Sequence, residues 1–468
     1  MYPVSKEGNF PLATSDKTQL FESTPIPRAI ASLAIPTVMS SLVMVLYNLA
    51  DTFFVGMLNN PVENAAVTLA APVLLAFNAV NNLFGVGSSS MMSRALGRKD
   101  YDTVYKSSAF GFYCSLICGA LFSLFYFLLR DPLLVVLGAD AQTTQGTIAY
   151  LNWTTGLGAV PAILNVVMAY LVRSEGSALH ASIGTMSGCL LNIVLDPIFI
   201  LPWGFHMGAA GAGLATCISN CVACLYFFVL LWVRRGNTYV CIHPKHFTFR
   251  PDIVKGVCGV GIPASIQNLL NVTGMTVLNN FTAPFGANAV AAMGIAQKIN
   301  MVPMYVAMGL SQGLMPLVSY NFASKNYQRM KKGILFTGQI TVAFLVVLTG
   351  VYFFFSHTFI TLFMSTPEVV EYGSTFLRAM CLALPFFATD FLAVGVFQAC
   401  GLGRNSLIFA ILRKIVLEIP ALYILNQLFP LYGLAWAQFC AEVILSIAAV
   451  ITLSRLFRRL ESGVHNVA

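Results

Sequence analysis

Acidic residues set in apolar runs are the first features of this sequence that could do chemistry. Asp51 lies near one end of the run that starts at Ala29, and Asp196 lies inside the run 178–202. Asn192 precedes Asp196 by one helical turn, so the two share a face. Pro197 comes next and has no N–H, so the carbonyl of Ile193 loses its helical donor. One short stretch therefore offers a carboxylate, an amide oxygen and a free carbonyl. Oxygen ligands of this kind suit Na⁺, and a carboxylate surrounded by hydrocarbon suits uptake and release of H⁺. An Asp at a helix centre costs about 2.5–3.5 kcal/mol on insertion scales, which argues for a use. The competing reading is an end-of-helix acid that reaches the headgroups. No metal is expected beyond Na⁺ at Asp51, Asn192 and Asp196.

A second polar set lies in the later half of the chain: Lys298, Asp390, Arg413, Lys414 and Glu418. Lys414 and Glu418 are one turn apart. Two readings stand side by side. Either the set works in transport, or Lys298 neutralises Asp390 or Glu418 and holds the helices together. Glu442 reads as a structural acceptor. His243 and His246 form the run HPKH, too few ligands for a metal, and read as a solvated loop. The 11 cysteines mostly fall inside apolar runs and read as small buried hydrophobes. No cofactor is expected.

These residues need elements that can carry them through an apolar medium. Hydrophobic residues make up 57% of the 468 and charged residues only 9%, with mean hydropathy +0.77. An average soluble domain carries roughly 25% charged residues, so lipid must be the solvent for most of this surface. Continuous apolar runs of about 20 residues are helical spans, because barrel strands alternate over about 10. Spans are predicted at 29–56, 64–92, 103–129, 147–172, 178–202, 208–234, 253–282, 288–316, 330–355, 370–400, 404–429 and 433–457. The fold class is thus an all-α polytopic membrane protein of about 12 transmembrane helices. Residues 1–28 mix Lys6, Glu7, Asp16, Lys17 and Glu22 with Pro and Ser and do not read as a secretory signal. They are expected as a cytoplasmic segment ahead of an uncleaved first span.

Basic residues set the orientation. One side collects Lys6, Lys17, Arg28, Arg94, Arg98, Lys99, Lys106, Arg173, Arg234, Arg235, Lys245, Arg250, Lys255, Lys325, Arg329, Lys331, Lys332, Arg404, Arg455, Arg458 and Arg459. The other side has Arg130 and Arg378. Both termini are therefore expected in the cytoplasm, with the chain in the plasma (inner) membrane. The formal charge of +8 follows from this topology, and no nucleic-acid partner is expected.

The chain also repeats itself. AIPTVMSSLVMVLYN around Pro36 parallels GIPASIQNLLNVTGM around Pro263, Asn64 parallels Asn288, Gly85 parallels Gly309, and Pro161 parallels Pro385. Each half holds six spans, an even number, so both halves enter the membrane in the same direction. This divides the chain into an N-lobe 29–234, a linker 235–252, a C-lobe 253–459 and a cytoplasmic tail 460–468.

On these residues the sequence resembles the MATE (multidrug and toxic compound extrusion) transporters. The matching runs are IPTVMSSLVMVLYNLADTFFVG (35–56), SRALGRKD (93–100), LVRSEG (171–176), NIVLDPIFI (192–200), GAAGAGLAT (208–216) and GLSQGLMPLVSYNFASKN (309–326). The resemblance implies two six-helix lobes around a central cavity, and export of amphipathic, often cationic drug-like molecules against inward H⁺ or Na⁺ flow. It implies cation coupling at Asp51, Asn192 and Asp196, with Asn165 and Thr216 as further polar positions, and at Asp390 in some members. A seventh-helix acid of some members is absent, with Asn271 in that region.

An exporter of this kind acting as a monomer is the expected function. No GxxxxGK[ST] run is present, so ATP is not expected as the direct drive. A flippase for lipid-linked sugars would need a basic cavity, and only Lys298, Arg413 and Lys414 offer one. A membrane-embedded transferase would need a His, Asp or Glu cluster near one surface, and the histidines are dispersed.

Overall fold

The computed structural model describes residues 12–58 and 60–462, so the expectations for the first 11 residues and for 463–468 lie outside the described residues. Among the described residues, twelve long helical elements carry the fold. They are α1 (Ile26–Gly56), α2 (Pro61–Gly97), α3 (Tyr101–Leu128), α4 (Thr144–Leu157 with Ala159–Ser174), α5 (Ala178–Ile200), α6 (Ala209–Val233), α7 (Pro251–Phe285), α8 (Ala287–Ala323), α9 (Tyr327–Phe354) and α10 (Pro367–Cys381 with Leu384–Ala399). In α11 the segments Gly403–Ile411, Leu412–Glu418 and Ile419–Leu428 run on, and α12 is Tyr432–Glu461. The spans match the predicted ones in number and order. Several are longer: α2 reaches Gly97 and α8 reaches Ala323, because their ends leave the apolar layer and cap in polar turns.

Lipid exposure is legible in the packing. α9 is apolar yet mostly unburied, so its apolar side chains face outward rather than inward. In hydrocarbon every backbone group must be satisfied within the segment, which is why all spans are helices. Where helices end, side chains take over. Asn60 accepts from the Val62 N–H ahead of α2, Asp100 from the Thr103 N–H ahead of α3, and Asn326 from the Arg329 N–H ahead of α9.

The repeat is visible in three dimensions. Lys99-Asp100 and Lys325-Asn326 make the same turn, each lysine at positive φ (58° and 63°) and each following residue a helix cap. The two sharp bends also correspond. α4 bends by 51° and α10 by 48°, near equivalent positions of the two halves. α1 and α7 each carry an internal proline, Pro36 and Pro263, and α1 continues unbroken through Pro36.

α1 packs along α5 in its own half and along α8 of the other, and α2 packs along α7. These cross-lobe contacts run along the halves of the helices nearest the basic loops, here called the inner end. A Cβ on Gly313 of α8 would lie 2.6 Å from Cα of Ala34 on α1, and one on Gly309 would lie 2.9 Å from Cα of Val38. On the other seam, a Cβ on Gly87 would lie 2.4 Å from the carbonyl oxygen of Val257, and Ser90 Oγ donates to the carbonyl of Gln398 at 2.6 Å. Toward the opposite end α7 is exposed at Thr276, Asn279 and Asn280.

Two polar segments are more ordered than their composition suggests. The N-terminal stretch forms a short helix, Leu12–Glu22, that docks on the body through Phe21. The 235–252 connection lies against the N-lobe: Cys241 N–H donates to Ser108 Oγ at 2.9 Å, Tyr113 OH donates to the carbonyl of Ile242 at 2.8 Å, and Phe247 lies among Phe110, Tyr113 and Phe249.

Candidate functional site

In the N-lobe the fold joins three of the sequence-derived residues into one network. α5 places Asn192 and Asp196 on its buried face, at 1% and 0% exposure. With the Asn192 amide nitrogen turned toward Asp196, it donates to Asp196 Oδ2 at 2.7 Å and Oδ1 at 3.3 Å. The amide oxygen then accepts from Thr216 Oγ1 at 3.3 Å and from the Thr216 N–H at 3.1 Å. This orientation satisfies both ends of the amide, whereas the reverse sets its oxygen against a carboxylate. Thr216 belongs to α6, so the network ties α5 to α6. Asp51 on α1 is half-buried and lies within electrostatic range of Asp196. Carboxylates from two different helices thus lie close enough to interact, and an amide and a hydroxyl lie on the Asp196 side. Such a set can hold a proton or a small hard cation, because the like charges repel each other when no positive ion lies between them.

Two tyrosines that the sequence reading passed over belong to this neighbourhood. Tyr47 and Tyr150 lie within electrostatic range of both Asp51 and Asp196. Tyr47 was open to inference, since it sits one helical turn before Asp51 and shares its face. Tyr150 comes from α4 and has no sequence signal of that kind.

Asn165 is placed differently. Its amide nitrogen donates to the carbonyls of Pro161 and Ala162 at 2.7 and 3.2 Å and to Asn220 Oδ1 on α6 at 3.0 Å. It links α4 to α6 by an interhelical hydrogen bond of the kind that glues membrane helices. Asn220 had not been singled out.

The C-lobe set separates into two ion-paired groups. Arg413 Nε donates to Glu442 Oε1 at 2.6 Å, and Arg413 Nη1 lies 3.2 Å from Asp390 Oδ2. The guanidinium also sits over the rings of Phe387 and Phe391, at 4.6 and 5.0 Å from their centroids. Beside it, Lys414 Nζ reaches both oxygens of Glu418 at 2.6 and 2.8 Å. Arg413, Lys414 and Glu418 fall in a π-helical turn, Leu412–Glu418, which resets the facing of successive residues so that neighbours 413 and 414 both point inward. Lys298 corrects the sequence expectation. It is exposed on α8 and pairs with neither Asp390 nor Glu418, because Arg413 and Lys414 already neutralise them.

Between the two halves lies a cavity of about 90 Å³. Its walls are unlike either charged cluster: Asn82 of α2 faces Gln267, Asn268 and Asn271 of α7, with Met308 of α8 and Phe391 of α10. Neutral amides supply hydrogen bonds without fixed charge, and flexible Met and planar Phe adapt to varied apolar shapes. Phe391 also contacts the Arg413 guanidinium, so the cavity wall adjoins the C-lobe charges.

Comparison with known proteins agrees with this architecture. The MatE family model matches twice, at residues 36–198 and 263–424, one match in each half. The chain is 34% identical over 442 residues to the multidrug export protein MepA of Staphylococcus haemolyticus (strain JCSC1435), covering 94% of this chain and 96% of that protein. It is 33% identical over 444 residues to MepA of Staphylococcus aureus (strain MRSA252), with the same coverage. Its fold matches a solved outward-facing multidrug resistance MATE transporter of the MOP superfamily with a TM-score of 0.90, at 26% identity, over 97% of this chain and 100% of the other. Two family matches in tandem, relatives matched along almost their whole length and a shared twelve-helix fold lead to one conclusion: the chain belongs to the MATE family of membrane transporters.

Proposed function

We propose that this protein is a secondary multidrug exporter. It moves amphipathic, often cationic drug-like molecules outward against inward H⁺ or Na⁺ flow by alternating access. The relatives named as multidrug export proteins support the substrate class. The observation that carries the coupling is the Asp51 and Asp196 pair, with Asp196 fully buried and bonded to Asn192. Leaving a lone carboxylate in so dry a place is costly, and occupation by a positive ion removes the cost. A cation entering this site gains about 2.3 kcal/mol per 100 mV of potential crossed.

In this reading the cation binds between α1, α5 and α6 of the N-lobe, and Asn165 supports the site from α4. The substrate occupies the cavity between lobes 29–234 and 253–459, which the linker 235–252 joins on the cytoplasmic side. Both termini are cytoplasmic, in keeping with the basic loops, and the protein acts as a monomer in the plasma membrane. α1 is the element that responds to occupation of Asp51, because it contacts both α5 and α8.

The test is efflux of a fluorescent organic cation from proteoliposomes under separately imposed pH and Na⁺ gradients. One gradient should drive efflux in the parent protein. The double variant Asp51→Asn, Asp196→Asn should lose gradient-driven efflux while still binding the dye. Undiminished efflux in that variant removes the mechanism.

A further inference from the structure

The short helix Leu12–Glu22 touches both lobes at the inner end. Lys17 Nζ donates to Glu175 Oε1 at 2.6 Å, and Glu175 lies between α4 and α5 of the N-lobe. Glu175 is only 2% exposed and is held from its other side by Thr238 Oγ1 and the Tyr239 N–H, at 2.9 and 2.6 Å. On the C-lobe side, Tyr320 OH donates to Glu22 Oε1 at 2.5 Å and Asn321 Nδ2 donates to the carbonyl of Phe21 at 3.2 Å. Arg329 clamps the end of the helix. Its Nε donates to the carbonyl of Phe21 at 2.5 Å, and its Nη2 donates to the carbonyls of Leu20, at 3.3 Å, and Thr24.

Phe21 is the wedge of this contact. It is 1% exposed and stacks on Tyr320 of α8 with centroids 5.0 Å apart. Its ring also covers Gly176 of the N-lobe, where an added Cβ would lie 3.1 Å from the ring tip. One aromatic side chain thus fills the seam between the two halves. We propose that Leu12–Glu22 is a strap that latches the inner ends of the lobes together and must leave one of them before the cavity can open on the side of the basic loops. The proposal rests on the alternating access proposed above.

The geometry gives the strap two anchors. Phe21, the Glu22 carboxylate and three backbone carbonyls bind the C-lobe. The Lys17–Glu175 ion pair and the Phe21 and Leu20 side chains over Gly176 bind the N-lobe, which the strap also joins covalently through residues 23–25 and α1. Parting of the lobes must therefore break either the Lys17–Glu175 and Gly176 contacts or the contacts with Tyr320, Asn321 and Arg329. A strap of this kind lowers the population of the inner-open state without touching the substrate cavity.

Cys400 serves as a reporter. It is 4% exposed at the inner end of α10, next to Gly401, where an added Cβ would lie 2.2 Å from the Arg94 guanidinium of the other lobe. In full-length protein with the other cysteines replaced, a membrane-impermeant maleimide supplied from the inner side should react with Cys400 in proportion to inner opening. Phe21→Ala, and separately Arg329→Gln, should raise that rate on the order of tenfold, the size of a modest two-state shift. Gln19→Ala, on the exposed face of the strap, should leave it unchanged. Deletion of residues 1–22 provides a second variant should Phe21→Ala reduce the folded fraction. Equal labelling rates in folded parent, Phe21→Ala and deletion proteins overturn the strap. If an imposed gradient alters the parent rate while the variants match it, the strap alone is lost. If no condition or variant alters labelling, the alternating-access reading falls with it.

Discussion

Replacing Arg413 with Gln should destabilise the C-lobe by a calculable amount. Arg413 is 3% exposed and serves two carboxylates, Glu442 at 2.6 Å and Asp390 at 3.2 Å, themselves 0% and 1% exposed. Removing one partner of a buried ion pair costs about 3–5 kcal/mol, because the stranded charge has no water to turn to. Lys414 cannot step in, since leaving Glu418 at 2.6 Å would strand a third acid. Loss of the guanidinium from above Phe387 and Phe391 adds about 1–2 kcal/mol. For a chain of this length the loss should lower the apparent melting temperature on the order of 5 °C or more. The assay is thermal unfolding of the purified protein in micelles, read as the monodisperse fraction after heating. The triple variant Arg413→Gln, Asp390→Asn, Glu442→Gln should recover most of the loss, because it leaves no unpaired charge. A melting temperature unchanged by Arg413→Gln, or a triple variant no better than the single one, refutes the electrostatic reasoning.

Other perturbations follow from the same contacts. Gly313→Val places carbon against the backbone of Ala34, 2.6 Å from a Cβ on Gly313, so it should force the inner ends apart and reduce efflux at least tenfold, read in proteoliposomes. Asn192→Leu removes the donor to Asp196 and the acceptor for Thr216, and should lower gradient-driven efflux about tenfold or more while dye binding, measured by fluorescence titration, persists. Asp100→Ala and Asn326→Ala each remove a helix cap and should cost about 1 kcal/mol apiece, with additive shifts in melting temperature, since the two caps serve different helices in different lobes.

The membrane class, the number and order of the helices and the twofold repeat were legible in the sequence because each follows from local or periodic properties. A continuous apolar run has only one satisfied backbone conformation in lipid, the helix, and Pro161 and Pro385 at matching positions of the two halves lie beside the same bend twice. The Asn192–Asp196 pairing was equally local, since one helical turn fixes both on one face. Tertiary structure decided everything that depends on which helices meet. It placed Asp51 near Asp196 across α1 and α5, turned Asn165 toward Asn220, and gave Asp390 to Arg413 while leaving Lys298 outside. That last choice rested on a π-helical turn that lets both Arg413 and Lys414 face inward, a backbone detail that a residue-spacing argument assuming 3.6 residues per turn does not contain. The docking of Leu12–Glu22 was hidden for a related reason: its partners, Glu175 and Tyr320, are far apart in the chain and become neighbours only when the two lobes close on their inner ends.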